Sequence, residues 1–253
     1  MGNQIYTIGR EFGSAGYEVG RLLAERLGVK LYDKNLLAQA AKDSGFCEEI
    51  FENHDEKPTN SFLYSLVMDT YSGGNYSSAP FLDMPLNHKV FLAQFDTIKK
   101  IAERESCVIV GRCADYALAS NPDCLNVFIH ADIEDRIKTV SKRNDVTENK
   151  AKDLIQKKDK QRASYYNYYS CKKWGDSRSY DLTLNTSKIT PEQCVDIILA
   201  YREKMQEMQE EQLDYARQTL HEQKNQTKLQ KKQYEVQKRI SRQVSYGNYI
   251  NTK

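Results

Sequence analysis

The residues best placed to do chemistry are Gly13, Ser14, Ala15 and Gly16, within YTIGREFGSAGYEVGRLLAERLG (6–28). An apolar run ends at Gly9, a small-residue turn follows, and Val19, Leu22, Leu23 and Leu27 then recur with helical period. Strand, small-residue turn and helix is the local plan of a phosphate-binding loop, where backbone N–H groups at a helix N-terminus face an anion. The GxxxxGK[ST] form of that loop has Lys and then Ser or Thr after its last Gly. Here those positions are Tyr17 and Glu18. Two arginines are candidates for the missing charge, Arg10 before the turn and Arg21 one helical turn past Tyr17. Glu18 cannot act as a neutral hydroxyl ligand, but a carboxylate can bind Mg²⁺. The plainer alternative is a turn that serves only close packing.

Two further groups qualify. In VIVGRCADY (108–116) an apolar strand ends at Gly111, with Arg112 and Asp115 just beyond it. Open α/β sheets bind ligands at the carboxyl ends of their strands. Against this stands a surface ion pair of Arg112 with an acidic neighbour. The third group is basic, with Lys157, Lys158, Asp159, Lys160 and Arg162, then Lys172 and Lys173. Tyr165, Tyr166, Tyr168, Tyr169 and Trp174 are interleaved with it, a mixture that also suits base stacking. A charge run of this kind is ordinarily a solvated face, but its place before the last strand suits a closing lid.

Five short β-like runs position these groups, at 5–8, 29–32, 107–110, 125–129 and 180–184. Their apolar character and the helical segments between them predict βαβ units and a parallel sheet. The long second interval predicts a helix near 34–43, a Gly/Ser/Pro-rich loop over 71–85 and a helix over 87–105. A short helix over 132–143 follows, carrying Arg136 and Arg143 on one face. Asp145-Val-Thr-Glu148 reads as a capping box that opens the basic helix. Thr190-Pro191-Glu192-Gln193 is a second helix start. From about 202 the composition turns to Gln, Lys and Glu, with weak heptads through Leu213, Leu220 and Tyr234 and through Leu229, Val236 and Ile240. Acidic residues gather in 203–214 and basic ones in 217–242. A solvated helix and a helix that pairs in a dimer or with a partner both fit residues 202–243. A single helix over 191–242 would be roughly 75 Å long at 1.5 Å per residue.

The 253 residues suffice for one sizeable α/β domain, and the net charge of +2 marks no polyanionic partner, so there is no strong case for nucleic acid. Six cysteines lie scattered without metal-ligand or disulfide spacing, which implies a reducing, cytoplasmic setting. No signal peptide is expected, and no apolar run reaches the ~20 residues of a membrane helix. Met1-Gly2 opens a myristoylation pattern that Tyr6 does not complete.

Taken in order, YTIGREFGSAG (6–16), LYDKNLL (31–37), EKPTNSFLYSLV (56–67), VIVGRCADY (108–116), VFIHADIEDRI (127–137) and KKDKQRASYYNYYSCKKWGDSRSYDLTLNTS (157–187) resemble the cytidylate kinase-like family, in the nucleoside monophosphate kinase branch of the P-loop kinases. The resemblance covers residues 4–201 and leaves out the tail. It implies a three-layer P-loop kinase fold with a parallel five-stranded sheet, an acceptor insertion at about 34–105 and a lid at about 145–179, and the composition of the tail adds a long C-terminal helical extension over 202–253. It implies ATP with Mg²⁺ as donor and a CMP- or dCMP-like nucleotide, or another small molecule, as acceptor. Asp33 and Asp115 would lie by the acceptor and Arg112 would grip its phosphate. Arg162, Lys158 and Asp159 would belong to the lid over the donor. The loop departs from typical cytidylate kinases, which carry Gly-Lys-Gly-Thr where this chain has Gly16-Tyr17-Glu18-Val19. Two functions therefore stand, a phosphotransferase and a kinase-fold nucleotide sensor or scaffold that works through its helical tail.

Overall fold

Strand β1 (Ile5–Arg10) is the central strand of the sheet in a computed structural model that describes residues 3–33 and 86–250. The helix expected at 34–43, the loop at 71–85 and the 56–67 motif lie outside the described residues. After β1 come α1 (Gly16–Leu27), β2 (Lys30–Tyr32), α2 (Leu86–Arg104), β3 (Cys107–Val110) and the short α3 (Ala114–Ala117). β4 (Cys124–His130), α4 (Ile133–Asn144), α5 (Glu148–Ser170), a 3₁₀ turn (Ser177–Ser179), β5 (Leu182–Asn185) and α6 (Pro191–Ile250) complete the order.

The strands form one sheet in the order β2-β3-β1-β4-β5, with every pairing parallel. This matches the five-stranded parallel sheet expected from the apolar runs. Ile8 stands opposite Val110 on one side and Val127 on the other, so the loop after β1 and the turn after β3 leave the same edge. From β1 the chain passes to β2 on one side, while from β3 it crosses to β4 on the other. Ligands bind at such a divergence of connections.

Strand residues alternate between two helical layers. Ile5, Cys107 and Ile109 bury against Ile98, Ile101 and Ala102 of α2. On the opposite face, a Cβ on Gly20 of α1 would lie 2.9 Å from Val110 Cγ2, so the missing side chain lets α1 approach the sheet.

Helices α4 and α5 form a hairpin around Val140, Ala151 and Ile155, with Phe12 and Ile137 packed against them. The start of α5 differs from the expected capping box. Asp145 lies in the left-handed region at φ 51 and ends α4, and Thr147 is the cap, its side chain accepting from Lys150 N at 3.4 Å. A residue that closes one helix in that conformation is not available to open the next. The capping box at Thr190 forms as expected, with Thr190 N donating to Gln193 Oε1 at 2.9 Å and Gln193 N to Thr190 Oγ1 at 3.3 Å.

The tyrosines of α5 are mostly core. Tyr165, Tyr166 and Tyr169 are buried, and Tyr169 stacks on Phe91 of α2 at 3.9 Å between centroids and 10° between planes. Rings used in this way form no open platform for bases. The chain divides into two compact units, Met1–Leu199 and Ala200–Lys253. The second continues α6 as a helix on which Leu213, Tyr215, Leu220, Leu229, Tyr234 and Val236 are exposed. No described helix is long and apolar enough to cross a membrane.

Removing the ring that joins α5 to α2 should be costly. Tyr169→Ala should destabilise the protein by about 3–5 kcal/mol in urea unfolding. A loss below about 1 kcal/mol would mean that the stack is not an anchor.

Candidate active site

Glu11, Phe12 and Ser14 of the loop after β1 are braced from outside the loop. Glu11 N donates to Ile129 O at 3.0 Å, and Glu11 Oε2 accepts from Ala131 N at 3.2 Å. Phe12 N donates to Asp159 Oδ1 of α5 at 2.8 Å, and Phe12 O accepts from Arg136 Nε of α4 at 2.9 Å. Arg136 and Asp159 also pair with each other, and Arg136 Nη1 lies 3.0 Å from Glu11 Oε2. Gly13 has φ +87, and a Cβ there would lie 2.8 Å from Val140 Cγ2. Ser14 is turned inward, its Oγ 3.0 Å from both Glu11 O and Ile129 O.

The open part of the loop is its backbone. Ala15 precedes α1 at φ 56 with no side-chain cap, and the first helical bond runs from Val19 N to Ala15 O at 3.0 Å. Among the described residues the N–H groups of Gly13, Ala15, Gly16, Tyr17 and Glu18 meet no hydrogen-bond acceptor. These orphan donors, together with the positive end of the α1 dipole, fit the phosphates of a nucleotide. A left-handed Ala costs about 1 kcal/mol or more. Strain of this kind collects at functional sites.

The turn after β3 is strained in the same sense. Gly111, Arg112 and Cys113 have φ of 81, 62 and 52, three left-handed residues in succession. The turn swings Arg112 and Asp115 into a cleft that Arg10 and Arg162 also line. Arg10 passes between two glycines: a Cβ on Gly16 would collide with its Cβ, and one on Gly111 with its guanidinium. Arg162 Nη1 donates to Arg10 O at 3.1 Å. Asp115 is buried, and its Oδ2 accepts from Tyr166 Oη at 2.6 Å. Burial raises its pKa above the ordinary carboxylate value, against the lowering effects of Tyr166 and Lys172. Three guanidinium groups beside one buried carboxyl suit a dianionic phosphate with a polar group attached.

Most of the residues singled out in the sequence fall into two sets. Arg10, Arg112, Asp115 and Arg162 converge on the cleft, and Gly13 to Glu18 form the loop. Arg21 and Glu18 form a pair of their own, with Arg21 Nε and Nη2 at 3.0 and 2.6 Å from the two Glu18 oxygens. The hydrogen bonds from Arg21 lower the Glu18 pKa, and Arg21 also pairs with Glu25. The Arg21–Glu18 pair lies on a partly exposed face of α1. No group of three or more His, Cys, Asp or Glu that could hold a metal ion occurs among the described residues. Asp159 holds the loop backbone, Lys158 is exposed on α5, Tyr17 is 48% exposed, and Asp33 directly follows β2. Arg136 and Tyr166 are site residues that the sequence alone does not mark. The only signal for Arg136 was its helical face, and Tyr166 was one of several aromatics.

A loop of open N–H groups after the central strand of a 2-3-1-4-5 parallel sheet defines the class of P-loop kinases. The chain belongs to the cytidylate kinase-like family, whose profile matches residues 5–188. A crystal structure of an uncharacterized protein from Eubacterium ventriosum is 32% identical over 79% of this chain and 99% of its own, with a TM-score of 0.60. Shikimate kinase from Acinetobacter baumannii is 13% identical over 79% of this chain and 92% of its own, at a TM-score of 0.41. A gluconokinase from Sinorhizobium meliloti is 14% identical over 83% and 97%, at 0.43. None of the curated proteins matches the chain.

The raised Asp115 pKa has a measurable consequence. Its carboxyl binds a proton more tightly in the folded protein than in the unfolded chain. The penalty for ionising it is absent below the unfolded pKa of about 3.9 and grows as pH rises towards the folded value. Asp115→Asn should therefore gain stability relative to wild type between acidic and neutral pH, read from urea midpoints. A difference that does not vary with pH would contradict the assignment.

Proposed function

We propose that the protein is a kinase that transfers the γ-phosphoryl group of ATP to a nucleoside monophosphate of the CMP or dCMP type, or to another small acceptor. The observation that carries this reading is the meeting of Arg10, Arg112, Arg162 and Asp115 in one cleft beside the loop. In this reading the N–H groups of residues 13–18 hold the donor phosphates and Mg²⁺ enters with the nucleotide, bound chiefly by phosphate oxygens. Arg10 supplies the charge that lysine gives in GxxxxGK[ST]. Arg112 grips the acceptor phosphate. Arg162 joins the two sides, since it lines the cleft and holds the carbonyl of Arg10. Phosphoryl transfer needs positioning and charge stabilisation more than covalent help from the protein, and these groups offer both.

Tyr17 in place of lysine, with Glu18 tied to Arg21, favours a second reading, a nucleotide-binding scaffold that acts through its helix. ADP release from ATP and Mg²⁺, measured against a panel of nucleoside monophosphates, separates the two. The kinase reading expects turnover with one pyrimidine monophosphate, abolished in Arg10→Ala. Arg112→Ala should weaken acceptor binding by about 1.5–3 kcal/mol, the worth of a hydrogen bond to a charged group, with donor binding unchanged. Thermal stabilisation by ATP without turnover on any acceptor would transfer the case to the scaffold.

The helix beyond Ala200 is proposed to pair antiparallel with a second copy. It holds five carboxylates and one lysine over 203–214, and eight basic residues against two acidic ones over 217–242. Sedimentation of the full chain should give about twice the 29.3 kDa chain mass, with dissociation at high salt. A monomer at every concentration would reject the pairing.

A further inference from the structure

The cleft and the loop face a single surface of α5. Asp159, Arg162, Tyr166 and Tyr169 are spaced i, i+3, i+7 and i+10, which places them on one helical face. Asp159 holds the backbone of Phe12, Arg162 that of Arg10, and Tyr166 the carboxyl of Asp115, while Tyr169 fixes the helix to α2. Arg136 completes the grip from α4.

We infer that Arg136 and Asp159 are positioning residues that set the shape of the phosphate loop by gripping Phe12 at both its N–H and its C=O. Ordinarily the two backbone groups of a loop residue are met by unrelated partners or by water. At Phe12 they are met by the two members of one ion pair, whose side chains are 6% and 18% exposed. The Phe12 ring is held as well, with the Arg143 and Arg162 guanidinium carbons 4.8 and 5.6 Å from its centroid. Phe12 immediately precedes Gly13, where the open N–H groups begin. Its orientation therefore sets the direction in which those donors point. A loop without the usual lysine loses the point charge that draws phosphate into register, and depends more on a backbone shaped in advance. A planar guanidinium with fixed donors suits this task better than an ammonium. The inference rests on the reading of this loop as the donor site.

The test uses the full chain with Arg136→Met combined with Asp159→Leu, and separately Arg136→Lys. The double variant removes both charges of the pair together, a change that folded proteins often tolerate, and Glu11, which loses its arginine, is partly exposed and still accepts from Ala131 N. Arg136→Lys keeps the charge and loses the planar fork. Two quantities are read in each, amide exchange at Phe12 and Gly13 without nucleotide, and equilibrium affinity for ATP and for CMP. Expected are faster exchange confined to the loop, ATP affinity lower by roughly ten- to a hundredfold, and CMP affinity unchanged. Unchanged exchange overturns the inference. Faster exchange with unchanged ATP affinity also overturns it, because the pair is then only structural. An equal loss for ATP and CMP does the same, since it reports general loosening. If the double variant does not fold, Arg136→Lys gives the same readings. If the wild type binds no ATP, the kinase reading fails, and exchange at Phe12 alone decides whether the pair shapes the loop.

Discussion

A buried ion pair between two helices holds both backbone groups of one loop residue, and the layout of the site depends on it. Arg136 from α4 and Asp159 from α5 meet at Phe12, and Arg136 reaches Glu11 as well. Through them the α4–α5 hairpin is tied to the edge where β1 ends. Since the same face of α5 carries Arg162 and Tyr166, fixing the helix at the loop also fixes its reach into the cleft. Groups of the loop and groups of the cleft are thus held by one helix rather than by separate loops.

The site combines strain and charge in a consistent way. Three non-glycine residues around it, Ala15, Arg112 and Cys113, adopt left-handed backbone that elsewhere favours glycine. Each stands at the carboxyl edge of the sheet, after β1 or β3. Surrounding structure overrides the local preference there. Ser14 and Glu11 tie the first turn to β4, and the body of Arg10 fills the space over Gly16 and Gly111. Glycine serves at these two positions to make room for one arginine.

Much of this was legible in the sequence, because strands buried on both faces leave apolar runs and helix starts leave capping residues. All five strands lie where the runs predicted, and the Thr190 cap formed with its reciprocal bonds. The family, too, could be recognised from the order of its motifs. What could not be read was which side chains meet across long stretches of chain. Nothing local to Arg136 marks it as a partner of Phe12, 124 residues away. The tyrosines after Arg162 looked equally suited to stacking on bases, and only tertiary packing shows that Tyr165, Tyr166 and Tyr169 are interior. The Asp145 box failed because sequence spacing does not reveal that one residue is already committed to ending the previous helix.

The position of β1 bears on how the chain comes to be folded during its synthesis. The first of the five strands to leave the ribosome is the middle strand of the sheet, and its two neighbours begin at Cys107 and Cys124. At about 5–20 residues per second, something like 5–20 seconds pass before either neighbour is made. Throughout that interval an apolar strand and the amphipathic helix after it have no sheet to join. The nascent chain must be shielded by the tunnel, by a chaperone or by transient contacts of its own, and collapse of the domain must await translation of its second half. Slow codons placed before residue 107 would lengthen that exposure, and the same codons placed after β5 would not.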